Sequence, residues 1–370
     1  MWGEPIVSRP VIGGARFELF DGLRAIAVLC VAYSHWIPAK YNLGFDFGRF
    51  GVQLFFVLSG FLITGLLLDA KASAARWGRD AAGRLIANFI VRRMLRIFPV
   101  YYVTLLACFV LGVGDVSDDF LWHATYLSNW LFWSRDSWGG ASSHFWSLAV
   151  EEQFYLIWPL LIALTGRYFA SGLTKLMIIA CVSAVCIVSV IRPEALPFFL
   201  VLPIPAFLAL GCGALLAFRA SYEHSSIVFP VLARVGLIAL FLGAGICVSV
   251  LGLSGIWAAF AHIALICGIV LIVELATKGG WGWIGAFLRW RPLAFLGTVS
   301  YGFYVFHNFA PTIVNRLIRV GTLPTGSDVG LIAPVLNFST TLILASLSWM
   351  ILERPINQLK ARFPYVSGTS

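Results

Sequence analysis

Apolar residues come in blocks of roughly twenty along this chain, separated by short polar joints. An α-helix needs about that length of apolar sequence to cross the hydrocarbon core of a bilayer. Ten blocks can be read, near 22–39, 51–68, 98–114, 144–165, 175–191, 202–218, 228–252, 256–276, 295–314 and 331–352. They predict an all-α, polytopic transmembrane helical bundle. Gly252 to Gly255 is the only turn signal between the seventh and eighth blocks. The first block is followed by Ser34-His35-Trp36-Ile37-Pro38, which is no small-residue cleavage site. It is expected to stay as an anchor.

Two connections are long. The one over 69–97 is basic and predicted helical, and the one over 115–143 is acidic and rich in Trp. No Pro/Ser-rich linker and no internal repeat interrupts the chain, so residues 1–370 are expected to form one integral-membrane domain. The distribution of Lys and Arg orients it. With the N-terminus inside, 20 of the 26 basic residues fall in cytoplasmic segments and 6 outside. Cytoplasmic loops carry the basic excess, so both termini are expected in the cytoplasm.

Composition agrees with the pattern. Hydrophobic residues make up 60% of the chain, charged residues 12%, and the mean hydropathy is +0.89. A soluble domain is about 25% charged. A soluble enzyme, a disordered chain and a disulfide scaffold are excluded. The net charge of +9 has no separate basic domain behind it. Nucleic acid is therefore rejected as a partner, and the positive charge is assigned to orientation and the lipid bilayer. The seven Cys all lie in apolar blocks without metal or disulfide spacing. No metal is expected.

Ionisable groups at membrane depth are costly and mark functional sites by default. The first block holds Asp21 and Arg24 at one end and His35 near the other. Arg24 and His35 are eleven residues apart, within about 20° of three helical turns and roughly 16 Å along the axis. They share a face. Either alone reads as an interface residue, but together they would place charge on lipid twice.

The fourth block opens with His144, Ser147, Glu151 and Tyr155 on one helical face, with Glu152 beside Glu151. Two adjacent carboxylates entering an apolar helix point to a polar cavity. Arg92, Arg93 and Arg96 precede the third block at spacings that let pairs converge on one anion. Tyr304 and His307 are candidates for polar lining in the ninth block, with Ser300 and Asn308 on the same face. His262 and Glu274 are weaker candidates, and His123 and His224 read as loop residues. The Trp residues of 115–143 read as an aromatic belt or as a sugar-stacking platform.

These residues also resemble a known family, the integral-membrane acyltransferase-3 proteins, which acylate carbohydrates and other hydroxyl acceptors. The resemblance rests on ordered motifs. Phe20-Asp21-Gly22-Leu23-Arg24-Ala25 with ten residues between Arg24 and His35 resembles the family's Arg-x10-His signature. Gly51 to Ile63, Arg93 to Pro99, His144 to Tyr155, Ser300 to His307 and Glu353-Arg354-Pro355 continue the series. Phe20 stands where an aliphatic residue is common. Some members carry a fused extracytoplasmic domain. This chain ends at Ser370 without one, so the expectation is that it acts alone or with a separate extracytoplasmic partner.

The resemblance implies a bacterial inner-membrane enzyme that moves an acyl group, usually acetyl, from cytoplasmic acyl-CoA to a hydroxyl of a carbohydrate outside. Arg24, Arg92, Arg93 and Arg96 would hold the CoA phosphates. A hydroxyl needs a base with a pKa near the working pH, and His35 suits that task; an acyl-imidazole on His35 is the alternative chemistry. Glu151 or Glu152 would orient His35 or bind acceptor hydroxyls. Tyr155 or Ser147 would face the oxyanion. The competing class is a polytopic transporter or flippase, which would move its cargo without consuming acyl-CoA.

Overall fold

A computed structural model describes residues 17–37, 41, 45–74, 81–222, 231–278, 282–319 and 329–365. Among these residues the regular elements are helical and none is a strand. Helices α1 (Phe17–Trp36), α2 (Phe47–Ala74) and α3 (Ala81–Val110) come first. Three short helices, α4 (Gly114–Asp118), α5 (Phe120–Ala124) and α6 (Ser128–Arg135), lead to α7 (Phe145–Leu164). Next are α8 (Arg167–Ile191), the one-turn α9 (Leu196–Phe199), α10 (Pro203–Tyr222), α11 (Val231–Val250) and α12 (Ile256–Lys278). The chain then runs through α13 (Gly282–Leu288), α14 (Arg291–Thr298), α15 (Ser300–Phe306), α16 (Ala310–Arg319), α17 (Val329–Ser348) and α18 (Arg354–Gln358).

Among the described residues, eight of these segments are long and apolar enough to cross a membrane: α2, α3, α7, α8, α10, α11, α12, and α17 with the turns that continue it. Helix α1 is not among the eight, because Asp21, Arg24 and His35 dilute its apolar run. Gly252 and Gly255 lie at φ +62° and +61° between α11 and α12. That conformation favours glycine, and the turn falls where the sequence signalled it.

Helices α2 and α10 pack through reciprocal glycines. A Cβ added to Gly60 would collide with the Leu210 carbonyl, and one added to Gly213 with the Val57 carbonyl. Lipid tails are as apolar as the side chains, so bilayer helices associate by such close approach. Around this pair the core is filled by Phe56, Phe89, Phe145, Phe154 and Phe303, all nearly inaccessible.

Three elements differ from expectation. The block predicted at 295–314 is three short helices, α14, α15 and α16, broken at Val299 and at His307–Phe309. Irregular backbone at membrane depth is tolerated only where protein surrounds it. Here α14 packs on α1, and α15 and α16 pack on α17. The freed groups are used. The Trp36 indole donates to the His307 carbonyl at 3.0 Å, and Asn308 donates to the carbonyls of Gly140 and Ala141 and to Ser143 Oγ. The third block begins earlier than read, because α3 runs unbroken from Ala81 and brings Arg92, Arg93 and Arg96 onto the helix that enters the core.

His123 is the third correction. It is not a loop residue but sits in α5 with 0% of its surface exposed, its Nδ1 2.8 Å from Ser128 Oγ. Tyr101 Oη donates to its carbonyl at 2.8 Å. Burial pushes its pKa down to about 4, despite the nearby carboxylates of Asp119 and Asp115. Asp119 receives two hydrogen bonds from Arg135, at 2.6 and 2.8 Å, and Asp115 caps the Ser142 amide at 2.8 Å. The 115–143 connection is thus a built layer. His224 lies outside the described residues.

Candidate active site

Helix α1 presents Arg24 and His35 to two different cavities. His35 is exposed in a cavity of about 430 Å³ walled by α1, α2, the start of α7 and α12. Arg24 lines a cavity of about 90 Å³ with Ser59, Arg93, Arg96, Glu151 and Tyr155. Val52 and Tyr304 line both, so they form the shared wall. The shared face predicted from the eleven-residue spacing is thus the face that meets both spaces.

The larger cavity is built beside a row of imidazoles in edge-to-face contact. His35 and His307 meet edge to face at 5.0 Å, and His307 meets His144 at 4.9 Å. His307 Nδ1 donates to the Tyr304 carbonyl at 2.5 Å, and His144 Nε2 donates to the Val305 carbonyl at 3.1 Å. A carbonyl can only accept, so each bond fixes a ring tautomer. Both acceptors are on α15. The break after α15 therefore fastens the imidazoles behind His35, while His35 itself stays open and within reach of the Asn308 side chain. His144 lines the cavity, and His307 stands behind it. Trp138 and Trp146 supply two indoles to the wall.

The smaller cavity is basic. Arg93 lies over the rings of Phe89, at 5.4 Å, and Tyr155, at 5.7 Å, which holds the guanidinium by cation–π attraction. Its Nε has no hydrogen-bond partner among the described residues. Arg24 bonds to Asp21 at 3.3 Å, and Asp21 lines neither cavity. Glu151 faces the cavity and accepts from Ser59 Oγ at 2.8 Å and Tyr155 Oη at 3.0 Å. Arg93 and Arg24 are its charged neighbours. At the shared wall Ser147 Oγ lies 2.5 Å from Tyr304 Oη.

Not every predicted residue reaches a cavity. Arg92 turns to the C-terminal segment, where it donates to the carbonyls of Lys360, at 2.8 Å, and Phe363, at 3.1 Å, and lies 4.5 Å over the ring of Tyr365. Glu152, one residue and 100° round from Glu151, is 8% exposed and lines neither cavity. Its electrostatic neighbours include Tyr101, Tyr126 and Tyr301.

Other residues join the site without having been singled out. Ser59 and Gln53 are polar positions inside an apolar block, a signal present in the sequence. Asp46 and Arg49 line the larger cavity as an ion pair with a 3.3 Å separation. In the sequence Glu353 stands only within the terminal Glu353-Arg354-Pro355 motif. It closes the π-helical turn Trp349–Glu353, takes a hydrogen bond from Ser348 at 3.1 Å and acts electrostatically on Arg96. Such turns recur at functional sites. Among the described residues no group of three His, Cys, Asp or Glu is placed to hold a metal ion.

The profile of a family described as "Acyltransferase domain" matches residues 17–354. A peptidoglycan O-acetyltransferase of Listeria monocytogenes is 30% identical over 385 residues, covering 91% of this chain and 55% of the relative. A Bacillus subtilis protein named "Putative peptidoglycan O-acetyltransferase" is 30% identical over 366 residues, covering 91% and 54%. The chain thus spans about half the length of these relatives. No solved structure matches.

Proposed function

The chain belongs to this acyltransferase family, and from that premise we propose that it is a multi-pass O-acetyltransferase of the bacterial inner membrane whose acceptor is an extracytoplasmic carbohydrate. The observation that carries the reading is the pair of cavities on one helix, one basic and one holding an open imidazole, with a single tyrosine lining both. The basic excess of the sequence supports a cytoplasmic position for the Arg24 end. Arg24, Arg93 and Arg96 suit the phosphates of acetyl-CoA. The thioester would reach the wall at Tyr304 from that side, and the sugar hydroxyl from the other. The relatives carry peptidoglycan in their names, which supports a cell-wall-type glycan as acceptor.

The chemistry follows from what each group can do. His35 takes the hydroxyl proton as the oxygen attacks the thioester carbonyl. The C–S bond breaks, and the departing thiolate takes a proton from the His35 imidazolium. His307 and Asn308 hold the ring. With Ser147 Oγ donating to Tyr304 Oη, the Tyr304 hydroxyl would turn from the His144 carbonyl to the oxyanion. Glu151, tied to Ser59 and Tyr155, offsets the mutual repulsion of its charged neighbours Arg93 and Arg24. An acyl-imidazole on His35 is compatible with the same geometry.

The broken α14–α16 segment would also suit a transporter, where discontinuous helices bind substrate. Transport does not call for a basic cavity against the imidazole one, and the family assignment opposes it. The test is to incubate the purified protein with acetyl-CoA labelled in the acetyl group and to follow free CoA and protein-bound label. CoA release that disappears in His35→Ala supports the assignment. Absence of both acetyl-CoA binding and turnover, with or without glycan, refutes it.

A further inference from the structure

Two polar side chains in the His35 cavity have no part in the chemistry above. His262 from α12 and Gln53 from α2 each expose 2% of their surface, and both line the cavity. Neither ring nitrogen of His262 has a hydrogen-bond partner among the described residues, and nor does Gln53 Oε1. Helices α2 and α12 pack together, and the two groups line the same cavity. Buried polar groups are paired almost everywhere in proteins, and an orphan calls for a ligand or a function.

The charges nearby narrow the ligand. Arg49 is the charged group that acts on His262, and it is paired with Asp46. Among the described residues that line the cavity, this cation and this anion face each other, and no other lining side chain carries a fixed charge to recognise a carboxylate or an amine. What remains is the acceptor oxygen of an amide and an imidazole, which in its neutral form has one donor and one acceptor. Trp138 and Trp146 add apolar faces to the same wall, and such faces suit a sugar ring.

We propose that His262 and Gln53 form a specificity subsite for the acceptor sugar, binding an uncharged ring substituent that both donates and accepts, a hydroxyl or an acetamido group. Its O–H or N–H donates to Gln53 Oε1, and its oxygen accepts from the protonated nitrogen of His262. The subsite deepens the acyltransferase reading and rests on it for the identity of the cavity. It touches the acceptor away from the reacting hydroxyl, which His35 serves.

The test measures binding of chitotriose and cellotriose to the full-length protein in detergent by calorimetry, with no acyl donor present. The two trisaccharides differ in carrying an acetamido group or a hydroxyl at the same ring carbon. Wild-type protein is expected to bind at least one, and the tighter of the two identifies the substituent. His262→Phe and Gln53→Leu should each weaken that binding about tenfold or more, and His262→Asn, which restores a donor and an acceptor, should recover part of it. Gln53→Leu carries the test from the other helix if His262→Phe does not fold. Unchanged affinity in both variants, or binding of neither sugar by the wild type, overturns the subsite. CoA release from acetyl-CoA is read on the same preparation. Release without sugar binding overturns the subsite alone, whereas His262-dependent sugar binding without release upholds the subsite and overturns the donor assignment.

Discussion

The cavity around His35 holds about 430 Å³ and the one around Arg24 about 90 Å³, yet the smaller one carries the charge. Three arginines face one carboxylate there, and that carboxylate is fully engaged by two hydroxyls. In the larger cavity Asp46 and Arg49 pair with each other, and the other polar groups among the described lining residues are imidazoles, an amide, hydroxyls and indoles. A fixed cluster of cations in low dielectric suits a ligand of fixed charge. A roomy wall of neutral donors and acceptors suits a polyhydroxylated one. Two unlike ligands entering from opposite ends need unlike walls, and one tyrosine common to both is where they can meet.

Removing the open imidazole should break this division most severely. His35→Ala is expected to lower acetyl transfer about a thousandfold, within the usual contribution of a general base. Donor affinity should change little. A variant that keeps more than a tenth of wild-type turnover would remove His35 from the chemistry.

A titratable group also stands behind the Trp138 side of the larger cavity: His123 packs on Phe132, and Phe132 on Trp138. His123 has its pKa near 4 in the folded protein, against about 6.5 when unfolded. A depressed histidine favours the folded state fully above pH 6.5. That stability is lost as pH falls from 6.5 to 4, because the unfolded chain takes up the proton first. The loss is on the order of 3 kcal/mol. Thermal unfolding followed across this window should show the slope in wild type, and His123→Asn should flatten it.

Arginines within one motif should separate next. Arg96→Ala is expected to raise the KM for acetyl-CoA about tenfold to a hundredfold, the scale of a lost charge-assisted contact. Arg92→Ala should leave that KM near wild type and loosen the C-terminal segment, measured as faster proteolysis beyond Gln358. Equal effects of the two on KM would restore Arg92 to the phosphate site.

The neighbouring carboxylates give the smallest contrast. Glu151→Gln keeps an acceptor for one hydroxyl partner, reverses the bond to the other, and removes the charge facing Arg93 and Arg24, so transfer should fall about tenfold. Glu152→Gln, on the tyrosine side, should leave the rate within about twofold and act on thermal stability instead. A larger effect of Glu152→Gln on rate would exchange their roles.

Much of the architecture was legible from the chain. Long apolar blocks can only satisfy their backbone as helices in a bilayer, so an all-α bundle followed from hydropathy alone. The turn at Gly252 to Gly255 was legible because glycine there escapes a steric penalty. Helical periodicity put Arg24 and His35 on one face, and likewise Ser147, Glu151 and Tyr155, since eleven residues come near three turns and side chains three or four apart stack.

What periodicity cannot supply is what lies across from a face. The block at 295–314 is apolar enough to read as one helix, and only packing against α1 and α17 makes its breaks affordable. Those breaks free the carbonyls that fix Trp36, His144 and His307. Arg92 and Arg93 are adjacent and chemically identical, and the docking of the C-terminal segment on α3 alone decides that one caps carbonyls while the other faces the cavity. Local sequence determines which groups share a helix face. Contacts hundreds of residues apart, which no local pattern encodes, decide which faces enclose a cavity and which polar groups are left in it without a partner.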